Sequence, residues 1–82
     1  MRVLKMKDAS IQDIVDAFQI KSVSSTIKSD MICIGHWKLK HDQSLLILDK
    51  NGDTVDLFDG DEPLCVFVEW FIKFLLPQMY NY

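Results

Sequence analysis

Eighty-two residues, 49% hydrophobic and 26% charged with three Gly and two Pro, describe one folded domain over 1–82 and exclude a disordered or two-core chain. The formal net charge of −3 excludes a uniformly basic nucleic-acid binder. The charge is nevertheless split: residues 1–40 carry seven Lys/Arg against four Asp, and residues 41–82 carry two Lys against eight acids.

The opening segment lacks the apolar run of a signal peptide. With Cys33 and Cys65 as the two cysteines, this points to reduced thiols in a cytoplasmic protein. Arg2–Lys7 alternates loosely and reads as a short strand or a lead-in. In "DASIQDIVDAFQI", Ile11, Ile14, Val15 and Phe18 fall on one helical face. Ser10 with Asp13 has capping-box spacing, and Asp8 is an alternative N-cap.

"KSVSSTIKSD" is polar and Ser-rich, a loop or a second short helix using Val23 and Ile27. "MICIGHWKLK" is β-branched and aromatic and reads as one strand over 31–40. Gly35 then marks a bulge or a close approach. Cys33, Trp37 and Leu39 share one side of that strand, and Ile32, Ile34 and His36 the other.

"SLLILDK", "NG" and "DTVDLFD" read as a hairpin with strands 44–50 and 53–58. Asn51-Gly52 suits a two-residue type I′ turn, because both central residues need positive φ. That turn sets Leu46 opposite Leu57, Leu48 opposite Val55, and Lys50 opposite Asp53. Leu45, Ile47 and Phe58 lie on the other face.

In "DGDEPLCVFVEWFIKFLLPQMYNY", Asp61 is the expected N-cap of a last helix, Pro63 its first turn and Pro77 its stop. Glu69 and Lys73 form an i,i+4 pair. The remaining positions are apolar almost all round, wider than the stripe a helix needs to cover one sheet face. Two arrangements account for that excess. The helix is central, between the sheet and the first helix, or part of its surface meets another chain. On the second reading the contact residues are Phe67, Trp70, Phe74 and Tyr80, with the acids Asp53, Asp56 and Asp59 offering a surface to basic partners.

Site chemistry is sparse. The acids of 49–62 do not follow a calcium loop, since Thr54 stands where that loop needs Gly and Gly60 where it needs Glu. Cys33, His36, His41 and Cys65 lack a zinc spacing, because an offset of three on a strand puts two side chains on opposite faces. The three Gly are isolated and form no phosphate cradle. No metal, cofactor, membrane span or enzymatic motif is expected.

Residues 10–29, "IQDIVDAFQIKSVSSTIK" at their centre, resemble the helix-turn-helix family, with a turn near Gln19–Lys21 and the later strands as a wing. That resemblance implies Ser22, Ser24, Ser25 and Lys28 facing DNA. In size, acidity and want of catalytic motifs the chain also resembles small phage-encoded regulators, such as inhibitors of host defence enzymes or cytoplasmic antiholins. Together these readings give an α+β fold: an N-terminal helix, a three-stranded antiparallel meander and a C-terminal helix, with both helices on one sheet face or one on each. The expected function is non-enzymatic binding of a partner protein as regulator or inhibitor, with a homodimer as a further expectation and DNA binding as the alternative.

Overall fold

A computed structural model of the chain describes residues 3–79. Helix α1 spans Ile11–Ile20. Its start is the expected capping box: Ser10 Oγ accepts from the Asp13 N–H at 3.0 Å, and Asp13 Oδ2 accepts from the Ser10 N–H at 2.9 Å. Ile14, Val15 and Phe18 are buried, as the apolar spacing requires. The helix stops at Ser22, which takes φ +62°. The Ser22 N–H donates to Gln19 O and the Val23 N–H to Phe18 O. This is a Schellman closure with serine in the left-handed position, and Val23 is buried just beyond it.

Five strands follow, not three: β1 Thr26–Lys28, β2 Met31–Ile34, β3 Trp37–Asp42, β4 Ser44–Leu48 and β5 Thr54–Phe58. They form one antiparallel meander in the order β1-β2-β3-β4-β5. The three-stranded expectation fails at two tight turns. Ser29 and Asp30, at φ +52° and +62°, link β1 to β2 across the pair Lys28–Met31, the signature of a type I′ turn. Gly35, at φ +58°, opens the two-residue turn between Ile34 and Trp37. Gly35 is therefore a reversal and not a bulge. The reversal also corrects the facing of this stretch: Ile32, Ile34, Trp37 and Leu39 are all buried together, while Cys33 lies on the opposite face.

The β4–β5 hairpin also differs from expectation. Its loop closes from Asp49 to Asp53, with the Asp49 N–H donating to Asp53 O at 2.9 Å, and of the pair Asn51-Gly52 only Gly52 has positive φ. Asp49 Oδ1 accepts from the backbone N–H of both Asn51 and Asp53, an Asx turn in place of the type I′ turn. Leu46 faces Leu57 as expected, but Leu48 faces Thr54, and the register shifts beside it. Val55 is the extra residue of a β-bulge.

Helix α2 spans Leu64–Phe74. Pro63, not Asp61, is its N-cap, and no side chain caps it. The N-terminal segment closes this end instead, since the Leu64 N–H donates to Leu4 O and the Met6 N–H to Glu62 O. Pro77 lies within a 3₁₀ turn, Leu76–Met79, after the α-helix has already ended. Phe18 of α1 meets Phe67 and Phe71 of α2 edge-on at 5.9 and 5.2 Å, and Phe67 in turn meets Phe58 of β5 at 5.0 Å. Both helices thus lie on one sheet face, and a single apolar core fills the space between. The helix expected to be sandwiched is one of two side by side.

Candidate interaction surfaces

The outer side of α2 carries Val66, Trp70 and Phe74 at i, i+4 and i+8, which stack into a ridge along the helix. Val66 is 46% and Phe74 51% exposed. Trp70 is half-buried, edge-on to Phe58 at 4.9 Å and tilted against Phe74 at 5.9 Å. Lys73 Nζ sits 5.5 Å from the centre of the Phe74 ring, within cation–π range. Of the expected contact residues, then, Trp70 and Phe74 share one surface. Phe67 does not join them. It is fully buried between Phe18, Phe58 and Phe71, because a step of three from Trp70 turns it toward the sheet. Tyr80 lies outside the described residues.

The three acids are strung along one edge of the sheet. Asp56 is opposite Ile47 on the helix-bearing face of β5, two residues from the Phe58 ring that supports Trp70. Its Oδ1 accepts from the Leu57 N–H at 2.8 Å, so part of this edge strand is already capped by its own side chain. Asp53 closes the hairpin loop. Asp59 turns the chain toward α2, its Oδ1 accepting from the Asp61 N–H at 3.0 Å. Asp56 alone of the three shares a strand face with Phe58, the ring that braces Trp70. Asp61 pairs with Lys7 Nζ at 3.0 Å across the surface. That hydrogen bond and the lysine charge hold the Asp61 carboxyl below its ordinary range and raise Lys7 above its own.

The residues matched to the helix-turn-helix pattern form no recognition helix. Ser22 is the left-handed stop of α1, Ser24 and Ser25 lie on the link between α1 and β1, and Lys28 ends β1. The physical reason is the Schellman closure at Ser22, after which Thr26–Lys28 pairs with β2. These serines line one side of an open cavity of about 390 Å³ with Cys33, Ile34 and Leu76.

The Cys/His set is also dispersed. Cys33 and Cys65 are free thiols, one on the outer sheet face and one on α2. His36 stacks on Trp37 at 4.4 Å, and His41 Nε2 bonds to Met6 O at 2.8 Å. Among the described residues no three His, Cys, Asp or Glu side chains gather as a metal site, and no helix is long and apolar enough to cross a membrane.

The sequence reading missed the sheet face turned away from the helices. Paired residues share a face, so the register places Lys28, Met31, Lys40, Leu46 and Leu57 in one row across it. Thr26, Cys33, Lys38, Leu48 and Thr54 form the next row. The available signal was β4 itself, Ser-Leu-Leu-Ile-Leu, apolar on both sides of the strand. Comparison with protein families, with curated proteins and with solved structures gave no significant match.

Proposed function

We propose that this chain is a small cytoplasmic protein-binding module that regulates or inhibits another protein by covering it, with the Val66–Trp70–Phe74 ridge as its contact. The carrying observation is the half-exposed aromatic ridge, braced on Phe58, with the exposed Glu69 next to Trp70 on α2 and the exposed Asp56 two residues before Phe58 on β5. Large rings held rigidly cost little side-chain entropy on docking and supply the anchors that dominate interfaces. The acidic border suits a partner that presents an apolar pocket with a basic rim.

A second copy of the chain is the other occupant the ridge accommodates, by apolar contact and not by charge. This manner of action, binding without chemistry, is the one the chain shares in format with small phage regulators and antiholins.

The test is affinity capture with two baits, the unaltered chain and the Val66→Glu/Phe74→Glu variant, each shown by circular dichroism to be folded. A stoichiometric complex formed by the first and lost with the second supports the proposal. Equal capture by both refutes the ridge as the contact.

A further inference from the structure

The outer sheet face departs from the usual rule for a sheet covered on one side, which is apolar inward and polar outward. Leu46 and Leu48 point away from the core that holds Leu45 and Ile47, and Leu57, 58% exposed, lies beside Leu46. A strand apolar on both faces is the pattern of a strand covered on both faces. Next to this tract Lys38 and Lys40 stand two residues apart on β3, roughly 7 Å, with Lys28 two strands further, roughly 10 Å from Lys40. None of the three pairs with a carboxylate among the described residues. Asp42, at the end of β3, is the one acid that the register sets on this face. Between Lys28, Met31, Cys33 and Lys38 lies a shallow depression of about 440 Å³. A chain of net charge −3 therefore holds a basic and apolar face.

We infer that this face docks an acidic amphipathic helix of a partner protein, with the helix's apolar stripe along Leu46, Leu48 and Leu57 and its carboxylates over Lys38 and Lys40. Width agrees, since five strands span roughly 19 Å and a helix with side chains is about 10–12 Å across. Charge selects the occupant. Two copies packed face to face would bring their lysines together, which disfavours self-packing here. No aromatic side chain lies in the two rows to stack on bases, so a single-stranded nucleic acid finds charge without a platform. This face lies across the sheet from the α2 ridge, so losing one surface leaves the other intact.

The experiment is an amide NMR titration of the full-length chain with a helical peptide of about 18 residues bearing a leucine stripe flanked by glutamates. A second peptide carries lysine in place of every glutamate. Saturable shifts at Lys38, Lys40, Leu46 and Leu48 with the acidic peptide alone support the inference. So does a loss of about tenfold in affinity for folded Lys38→Glu/Lys40→Glu. Should that variant not fold, Lys38→Gln/Lys40→Gln and a salt titration of the unaltered chain read the same charge dependence. Several outcomes overturn the inference: no shifts on this face, equal response to both peptides, or shifts confined to Val66–Phe74. Equal displacement of the acidic peptide by duplex DNA would reduce the face to a simple polyanion field. Concentration-dependent shifts there without peptide would make the occupant a second copy.

Discussion

Asp61 and Lys7 show how much a single surface pair can do. Their 3.0 Å contact depresses the Asp61 pKa from its ordinary 3.8 and raises that of Lys7 from 10.5. The Asp61 share of the stabilisation is present above 3.8 and disappears as pH falls through the depressed folded value. The Lys7 share is present below 10.5 and disappears as pH rises through the raised one. Both groups are solvent-exposed, so screening keeps the effect small. The expected outcome is an Asp61 carboxyl that titrates below the ordinary range by NMR and returns toward it in Lys7→Met. Gly60 answers to sterics instead. A Cβ there would stand 2.9 Å from both Gln43 O and Lys7 Cβ, backbone on one side and the root of a side chain on the other. Gly60→Ala should therefore cost about 1–3 kcal/mol, read as a lower denaturation midpoint, whereas Gly52→Ala meets no neighbour within 4 Å and is strained through its φ of +85° alone.

At the level of elements, α1 was fully legible. Its apolar period and the Ser10–Asp13 pair are local, and both operate as read. Ser10→Ala should lower stability by about 1 kcal/mol in thermal unfolding. The sheet was half legible. "NG" marked a hairpin, but Asp49 outcompeted the two-residue turn with two side-chain hydrogen bonds. The true two-residue turns use Ser29-Asp30 and Gly35-His36. The first hides because Ser29 is not a usual left-handed residue and Asp30 stands second, where Gly is usual, and the second hides inside an unbroken β-forming run. Ser29→Asn/Asp30→Gly should relieve the left-handed strain and stabilise the protein by about 1 kcal/mol. A fall in melting temperature would contradict the turn assignment. The extent of α2 was legible within two residues, but its cap was not, because the donor-satisfying carbonyl comes from Leu4, some sixty positions earlier in the chain.

Across the whole molecule, the wide apolar surface of α2 is divided by packing that no helical wheel contains. Phe67 and Phe71 enter the core with Phe18, while Val66 and Phe74 remain half outside. Phe71→Ala should cost about 3–5 kcal/mol, a large share of the roughly 5–15 kcal/mol that holds a domain together. Phe74→Ser should change stability by only about 0.5 kcal/mol. Comparable losses from both would mean that the ridge is core. The two tryptophans then probe the ridge as a contact surface. Trp37 is buried in the core and Trp70 forms the middle of the ridge. In the ¹⁵N-labelled chain bound to its captured partner, the Trp70 indole N–H signal should shift or broaden while that of Trp37 holds its position. A complex that forms with the Trp70 signal unmoved would contradict the ridge as the contact surface.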